Sequence, residues 1–461
     1  MGRRLVAVVA VTAGVLAPVA VGAVGVASAA QQVYTPPPAT AADARLPQPP
    51  GHDATKPTAV IVLGLDGTNV ADSLAPFEVL TESGVFNVYT VAERRAPVPL
   101  TGGLDLLPDY SFAELEDLLG AAPADVIMVP QLKGEDRDGT VVSWLREQHA
   151  DGAPLMVSVC VGAELVAQAG VLDGRPATSH WLKLIGLRRD QPQVRWQDDV
   201  TYVDDGDVVS SAAVLFGVDG ALRAIERTAG TATARRAADA VRWPHYSPGR
   251  PASVTPAGPR PADLVALLSA GFRWDRPRMG VLLRDGVGET ALAAAFRPYT
   301  ELSYLARPVA VSLDGEPVRS RHGLTFLPRQ ELGAVASQLD RLVVPGAAPA
   351  LGAVPPLPSV AAPVPLPDRP AYAFDAALRD IAAVDDVATA RWVAKSLGYP
   401  LPSVDADARG WPWALVLRPL AIGVLAAGAV LLVAGAVRRR RTGSWRVSHR
   451  GRPVRRKGTG A

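Results

Sequence analysis

The sequence has very little cysteine: Cys160 is the only one among 461 residues. This scarcity excludes a disulfide-stabilised scaffold and any metal or iron–sulfur site built from several cysteines. The sequence also has no P-loop, no dinucleotide-binding glycine fingerprint and no cluster of histidines, so nothing in it indicates a nucleotide, flavin or metal cofactor. The hydrophobic content of 48% excludes a largely disordered chain, and the length predicts two or three domains.

Acidic side chains are absent from the first 30 residues and from residues 438–461, although the net charge of the whole chain is only +2. The region between them is therefore acidic, and the C-terminal end is strongly basic. The small net charge argues against a bulk nucleic-acid binder, and we expect no nucleic-acid partner. An acidic body with a basic end favours a protein that is oriented in a membrane.

The N-terminus has the composition of a secretory signal peptide. Arg3 and Arg4 precede a long apolar run, and small residues up to Ala30 come before the polar Gln31. A positive start, an apolar middle and small residues at the cleavage site are the three parts of such a peptide. We predict a signal peptide over residues 1–30, and the alternative is an uncleaved N-terminal anchor.

A second long apolar segment lies near the C-terminus. Residues 414–437 contain one charged side chain, Arg418, and four consecutive arginines follow them. The segment is long enough to cross a bilayer, and positive residues stay on the cytoplasmic side. We predict a single-pass protein of the cell membrane: a transmembrane helix over 414–437, an extracytoplasmic body, and a cytoplasmic basic tail over 438–461 that contacts anionic lipid. The alternative is a buried core helix, which would not need four arginines.

Segments rich in proline and alanine divide the rest of the chain. We predict linkers over residues 31–56, 247–262 and 401–413. They separate two globular units, over residues 57–246 and 263–400.

The first unit alternates short apolar runs with segments of helical periodicity. Ala59–Leu65 is a continuous apolar run that ends at Asp66 and Gly67, as expected of a buried parallel strand. Further runs of this kind are predicted as strands over 86–91, 124–129 and 154–159. The alternation predicts an α/β fold with a flavodoxin-like parallel sheet and helices on both faces. In such sheets, ligands bind beyond the C-terminal ends of the strands.

Cys160 follows the fourth predicted strand and precedes a predicted helix. The neighbouring residues, which include Ser158, Gly162 and Ala163, are small, and a tight turn from strand to helix requires small residues. A nucleophile at such a turn is the elbow arrangement, in which the start of the helix would lower the pKa of the thiol. We predict a reactive thiol at Cys160, and the alternative is an inert buried cysteine.

The run from Cys160 to Ala163, the segment 169–181 and the segment 72–80 together carry a resemblance to a known family. Over residues 57–245 the chain resembles the ThiJ/PfpI superfamily, with the amidase-like domain of AraC-type regulators and the isocyanide hydratases as its nearest members. Those regulators continue into a helix-turn-helix, whereas this chain continues into an apolar helix. Direct control of transcription is therefore not expected.

The resemblance implies two partners for the thiol. The acid of the family maps onto Asp72, which would donate a hydrogen bond or a proton to the reacting groups; an ordinary helix N-cap is the alternative. The histidine of the family maps onto His180, which would be a base or a residue not aligned for catalysis. Cys160, Asp72 and His180 are thus the candidate catalytic residues.

Two positions depart from the pattern of the family. Val161 stands where the family usually has threonine, and Gln131 stands where it usually has glycine. The resemblance implies a substrate or oxyanion region at Val161, Gly162 and Gln131, which the Cβ atom of Gln131 would crowd. These departures favour a sensing module or a scaffold over an active enzyme.

The second unit resembles the first unit with its centre removed. Residues 216–244 align without gaps with residues 372–400, and eleven of the twenty-nine positions are identical. A segment rich in proline and alanine replaces the equivalent of residues 131–215, which holds the elbow strand, the cysteine and the histidine. We predict a degenerate, inactive copy that packs on the first unit as an internal pseudo-dimer. A separate structural spacer is the alternative, and a homodimer of whole chains is also compatible with the resemblance.

Three functions are compatible with the sequence. The interpretation that the sequence favours is a membrane-anchored extracytoplasmic module that senses a small-molecule ligand or the redox state through Cys160. The first alternative is a cysteine-dependent hydrolase or hydratase that acts on a small molecule. The second alternative is a catalytically inactive scaffold.

Overall fold

The computed structural model describes residues 3–38, 47–120, 122–135, 139–152, 154–346, 363–405 and 407–447. Residues 448–461 of the predicted basic tail and residues 347–362 of the segment rich in proline and alanine lie outside the described residues. The described chain forms two lobes and two long apolar helices.

The first lobe alternates strands and helices along the chain. The strands are β1 (Thr58–Val62), β2 (Asn87–Ala92), β3 (Val98–Leu100), β4 (Leu104–Leu107), β5 (Tyr110–Ser111), β6 (Val126–Val129), β7 (Leu155–Val159), β8 (Pro176–Thr178), β9 (Arg195–Gln197), β10 (Tyr202–Asp204) and β11 (Val208–Ser211). The long N-terminal helix is α1 (Arg3–Gln31), and the helices of the lobe are α2 (Val70–Glu82), α3 (Phe112–Leu119), α4 (Thr140–Gly152), α5 (Gly162–Gln168), α6 (Trp181–Asp190), α7 (Phe216–Ala229) and α8 (Thr231–Ala240).

A seven-stranded sheet lies at the centre of the first lobe, in the order β10-β11-β7-β6-β1-β2-β5. Its neighbouring strands are parallel except β10 and β11. Alternate residues of β1 enter two different cores: Ala59 and Ile61 pack on one face of the sheet, and Val60 and Val62 pack on the other. Burial on both faces requires a continuous apolar run, which is the pattern of β1 in the sequence. The prediction of an α/β fold with a parallel sheet is confirmed.

The second lobe contains a smaller sheet. The strands of this lobe are β12 (Arg278–Leu282), β13 (Arg307–Ser312), β14 (Val318–Arg319), β15 (Thr325–Leu327), β16 (Gln330–Glu331), β17 (Arg341–Pro345) and β18 (Val364–Leu366). The helices are α9 (Leu264–Phe272), α10 (Glu289–Phe296), α11 (Leu332–Val335), α12 (Ala373–Val384) and α13 (Val387–Leu397), and α14 (Trp413–Val447) follows the lobe. Five of the strands form a parallel sheet in the order β16-β13-β12-β17-β18.

The edge of this second sheet differs from the sequence prediction. The sequence predicts no strand where the first lobe has the elbow strand β7, but the short strand β18 pairs in parallel with β17 at that place. The N–H and C=O groups along the edge of β17 gain partners in this way, and Leu366 is buried. Strand β17 therefore has a paired strand on each side, β12 and β18.

The two lobes share a sheet and an apolar core. Strand β4 of the first lobe pairs in antiparallel fashion with β15 of the second, with Leu106 opposite Phe326. Helix α2 packs against α10, and the Glu78 carboxylate accepts a hydrogen bond of 2.7 Å from the N–H of Thr290. The same cluster of buried apolar residues continues through both lobes and includes Phe296. Side chains of the second lobe can therefore reach the first.

The two long helices, α1 and α14, are apolar enough to cross a membrane, by length and composition. They pack against each other where Gly14 faces Gly423, and α1 also contacts α9 where Gly25 faces Gly271. Arg418 at the start of α14 forms an ion pair of 2.6 Å with Asp275 of the second lobe. Both helices are thus joined to the lobes at one end.

Candidate active site

Cys160 lies in the turn between β7 and α5, with a backbone φ of +57°. This left-handed conformation is uncommon for residues other than glycine and is typical of strained turns at functional sites. The turn is held by a hydrogen bond of 3.2 Å from the N–H of Cys160 to the carbonyl of Ser211. It also requires glycine at position 162, because a Cβ atom there would collide with the carbonyl of Val129. The sequence therefore builds a strand-to-helix elbow at the cysteine.

The thiol of Cys160 is buried, with 1% of the residue exposed. Burial raises its pKa well above the usual value, and the charge of Asp72 raises it further. The charge of Arg297, a hydrogen bond from the N–H of Val161 and the charge of Lys183 lower the pKa, but less than burial raises it. The sequence predicts a lowered pKa at the elbow, and this prediction is wrong because loss of solvation dominates. The resting group is a neutral thiol.

Asp72 lies in the first turn of α2 and is completely buried. Burial raises the pKa of its carboxyl to about 7, while Arg297 and a hydrogen bond from the N–H of Gln131 lower it. That bond is 3.2 Å long and ends on Oδ2, whereas Oδ1 has no hydrogen-bond partner among the described residues. The N-cap of α2 is Asn69 and not Asp72. The carboxyl is therefore free of a capping role and titrates near neutral pH.

His180 caps helix α6 and bonds to the second lobe. Its Nε2 lies 3.0 Å from the carbonyl of Ser396, and its Nδ1 accepts a hydrogen bond of 3.4 Å from the N–H of Leu182. Burial lowers its pKa to about 4, so the ring is neutral and donates from Nε2. Because both ring nitrogens are engaged, this geometry does not provide the base that the resemblance offers as one possibility for His180. The neighbouring Ser179 instead supports the turn through a hydrogen bond of 2.9 Å to the carbonyl of Cys160.

The backbone of Gln131 does not offer a free N–H group to a substrate. This N–H binds Asp72, and the carbonyl of Gln131 accepts a hydrogen bond of 2.9 Å from the N–H of Asn69. The expected oxyanion region at Val161, Gly162 and Gln131 is therefore divided between two tasks: Gln131 orients the acid, and the N–H of Val161 faces the thiol sulfur.

Two residues that sequence reasoning missed lie close to these groups. Arg297, at the end of α10 in the second lobe, is 3% exposed and pairs with Glu301. Its charge lowers the pKa values of Cys160 and Asp72 in the first lobe. Tyr34 belongs to the predicted linker 31–56, and its hydroxyl lies 3.5 Å from Glu301. No local pattern marks either residue, because both reach the site only through tertiary packing.

A cluster of possible metal ligands lies at the contact between the lobes, apart from the thiol. Oxygen and nitrogen atoms of Glu78, Glu289 and His322 lie within 4.8 Å of one another. The carboxylate of Glu78 already binds Arg321 and the N–H of Thr290, and Nδ1 of His322 lies 2.8 Å from Glu289. These bonds account for the cluster as a polar contact between lobes.

Comparison with known proteins finds relatives of the first lobe. Residues 58–226, from β1 into α7, match the model of the DJ-1/PfpI family. An isonitrile hydratase of Pseudomonas putida is 29% identical over 172 residues, which are 36% of this chain and 69% of that protein. An uncharacterized protein from the cpoL 5′ region of Streptomyces lividans is 32% identical over 143 residues, which are 30% of this chain and 96% of that protein.

Among solved structures, the crystal structure of Drosophila melanogaster DJ-1beta has 22% sequence identity and a TM-score of 0.36, over 40% of this chain and 97% of that chain. The family match covers the strand, the acid-bearing helix and the cysteine elbow of the first lobe. By its first lobe, this chain belongs to the DJ-1/PfpI family.

Proposed function

We propose that the first lobe is a cysteine-dependent enzyme of the hydratase or hydrolase type that acts on a small electrophile. The observation that carries this proposal is the combination of a thiol at a strained elbow with a buried carboxyl, Asp72, whose pKa lies near neutrality. The similarity to an isonitrile hydratase supports the same class of reaction. A redox sensor has less support, because sensor thiols are exposed and ionised, whereas Cys160 is buried and neutral.

The buried thiol needs a base at the moment of attack, and Asp72 is suited to that role. A group that titrates near pH 7 can accept a proton and return it at neutral pH. In the proposed reaction the Asp72 carboxylate takes the thiol proton while the sulfur of Cys160 forms a bond to the electrophilic carbon. Asp72 then gives that proton to the substrate atom that receives the electron pair. The N–H of Val161 stabilises negative charge on the sulfur.

Water completes the cycle. It attacks the carbon that is bound to sulfur, the carbon–sulfur bond breaks, and the sulfur regains a proton that water has released. The sum is the addition of water to the substrate, with both side chains returned to their starting states.

The test of this proposal is the turnover of an aryl isonitrile to the formamide by the intact protein, together with a covalent adduct on Cys160 detected by mass spectrometry. A folded protein that shows neither turnover nor an adduct would contradict the proposal and favour the inactive scaffold.

We also propose that the second lobe is a degenerate copy of the first and packs on it as an internal pseudo-dimer. The contact between β4 and β15 supports this. In the sequence, residues 103–108 parallel residues 323–328, which makes Asp105 equivalent to Thr325 and Leu107 equivalent to Leu327. Asp105 pairs with Leu327 and Leu107 pairs with Thr325, which is the reciprocal register expected of a two-fold axis. Aligned residues also make aligned bonds. Trp243 donates to Asp219 in the first lobe, and Tyr399 bonds to Asp375 in the second.

The pseudo-dimer predicts that damage to the second lobe unfolds the first. Phe296 is fully buried in the core common to both lobes, so we expect Phe296→Ala to reduce the free energy of unfolding by about 3–5 kcal/mol. Urea unfolding, followed by tryptophan fluorescence and by the labelling of Cys160, should give coincident transitions that shift together. Leu313→Ala, at an exposed position, is the matched control with an expected change within about 0.5 kcal/mol. A Cys160 transition that stays at its original urea concentration would show that the lobes unfold independently.

For the membrane, we propose that α1 is retained and crosses the bilayer beside α14, so that two helices and not one anchor the lobes. The support is the close approach of Gly14 and Gly423, where small residues bring two helices into contact. Both helices meet the lobes at one end, and both carry arginines at the other, Arg3 and Arg4 in α1 and Arg438 in α14. Positive residues stay cytoplasmic, so the lobes would lie outside, with the basic tail near anionic lipid inside.

A cross-link separates this anchor from a cleaved signal peptide. A Cβ atom at position 14 would lie 3.5 Å from the Cβ of Ala427, a separation at which disulfides form. In a Cys160→Ser background we therefore expect Gly14→Cys with Ala427→Cys to give a disulfide, detected as a linked peptide by mass spectrometry. Gly14→Cys with Gly428→Cys is the control, because position 428 is turned away by about 100°. A mature chain that begins at Gln31 would contradict the proposal.

A further inference from the structure

The chain segment that follows α1 lies against the candidate active site. The carbonyl of Val33 accepts a hydrogen bond of 2.7 Å from the N–H of Gly102, and the carbonyl of Tyr34 accepts one of 3.4 Å from Nζ of Lys133. Arg329 of the second lobe donates a bond of 2.7 Å to the carbonyl of the next residue. Three successive carbonyls are thus held by two loops of the first lobe and one side chain of the second.

The side chain of Tyr34 enters between the two lobes, and the residue is 7% exposed. Its ring lies against Gly67, where a Cβ atom would come within 2.6 Å of a ring carbon. Its hydroxyl lies 3.4 Å from Oγ1 of Thr101, which donates to it, and 3.5 Å from a carboxylate oxygen of Glu301. The ring of Tyr34 therefore packs on Gly67, and its hydroxyl contacts a polar side chain from each lobe.

The position of this ring is the position expected for a ligand. Gly67 and Lys133 follow β1 and β6 of the parallel sheet, and in such sheets ligands bind beyond the C-terminal strand ends. Thr101 follows β3, which pairs in antiparallel fashion with β4. Thr101 also accepts a hydrogen bond of 3.2 Å from the N–H of Val70, the first residue of the helix that carries Asp72. The charges of Asp72, the Cys160 thiol and Arg297 all act on the pKa of the Tyr34 phenol, which burial raises, so the ring lies near the reacting groups.

We propose that Tyr34 is a resident occupant of the substrate pocket above Cys160, and that the pocket takes a small planar ring bearing a hydroxyl group, which must displace Tyr34 to reach the thiol. This inference rests on the proposed function, because it names the substrate class and the resting state of the same site. The phenol of Tyr34 is the chemical model for the ligand: a flat apolar face for Gly67 and one hydroxyl between Thr101 and Glu301. Substrates of this class carry the electrophilic carbon in a substituent of the ring.

The experiment measures the accessibility of Cys160 in the full chain in lipid nanodiscs. With iodoacetamide at pH 8, we expect Tyr34→Ala to be alkylated at least ten times faster than the original protein, because the ring no longer closes the pocket. Tyr34→Phe keeps the ring and should stay within about threefold of the original rate. Tyr246→Ala, which removes a half-buried tyrosine of the first lobe that is bonded to Glu226, should label at the original rate.

The phenol p-cresol serves as the ligand probe. It should slow the alkylation of Cys160 in Tyr34→Ala back toward the original rate, and it should not change the alkylation rate of the original protein. Toluene, which lacks the hydroxyl, should slow the alkylation of Tyr34→Ala less. If Tyr34→Ala melts below the assay temperature, Tyr34→Leu replaces it, with an expected rate between those of the alanine variant and the original protein.

Binding without chemistry separates this inference from the proposed function. In a Cys160→Ser, Tyr34→Ala double variant, p-cresol should bind, measured by ligand-detected NMR, although no thiol is present. Binding of p-cresol and faster labelling, without any turnover, would contradict the enzyme proposal but would support the inference that Tyr34 occupies a ligand pocket. Unchanged labelling of folded Tyr34→Ala, with no binding of p-cresol, would overturn the inference whatever the turnover is.

Discussion

Replacement of Cys160 by alanine is expected to lower kcat/KM for the hydration of an aryl isonitrile by a factor of at least about 10³, because the bond-forming atom is removed. The fold should survive, since alanine is small, the side chain is buried, and the strained backbone at φ +57° exists already with a non-glycine residue. Steady-state kinetics measure the loss, and the melting temperature shows that it is not a loss of structure. The covalent adduct on residue 160 should disappear with the activity.

Two further variants test whether the loss of turnover is due to the sulfur of Cys160. Cys160→Ser keeps the size of the side chain but replaces the sulfur with a hydroxyl that ionises far less readily, so it should be as inactive as the alanine variant. Ser179→Ala removes only a hydrogen bond to the carbonyl of residue 160 and should lose less than about tenfold. Turnover that persists in a folded Cys160→Ala variant would place the chemistry elsewhere.

Asp72→Asn is expected to reduce turnover by about 10²–10⁴, the usual contribution of a general base. In the original protein the active form needs an ionised Asp72, so the rate should rise with pH through about 7, the pKa that burial imposes on this carboxyl. Asparagine cannot ionise, so this limb of the pH profile should vanish. A profile that keeps its inflection near pH 7 in the variant would assign the titration to another group.

The same substitution should stabilise the protein at high pH. The carboxyl of Asp72 has a pKa of about 7 in the folded chain and 3.8 in the unfolded chain, so the folded state loses stability as pH rises from about 4 to about 7, and the loss persists above 7. Asparagine removes this penalty, and the variant should gain up to about 4 kcal/mol at pH 8 and little at pH 4. Urea unfolding at the two pH values measures the difference.

A matched control is available in the same lobe. The carboxyl of Asp219 is also buried, with a pKa that burial raises to about 7, but it bonds to Trp243 and not to the thiol site. Asp219→Asn should therefore gain stability at pH 8 and keep its turnover. If Asp72→Asn and Asp219→Asn behave alike in both measurements, Asp72 has only a structural role.

The sequence predicted the elbow correctly in kind but not in its electrostatics. The small residues around Cys160 indicate the turn, and the φ of +57° agrees with it. The direction of the pKa shift depends on how much water reaches the sulfur and on charges such as Arg297, which is 137 positions away in the chain. Likewise, Asn69 and not Asp72 caps α2, and only the backbone geometry decides between these two polar residues, which are three positions apart.

The order of apolar runs, turn residues and small residues was enough to determine the parallel sheet, the place of the cysteine at a strand end and the presence of two long apolar helices. These features depend on short-range periodicity and on the burial of β-strands such as β1. Only the tertiary structure decided what surrounds the thiol. His180 is turned toward the second lobe, Arg297 comes from that lobe, and Tyr34 comes from a segment that the sequence predicts to be a linker. These contacts join residues far apart in the chain, so no local pattern encodes them, and packing between the lobes selects them.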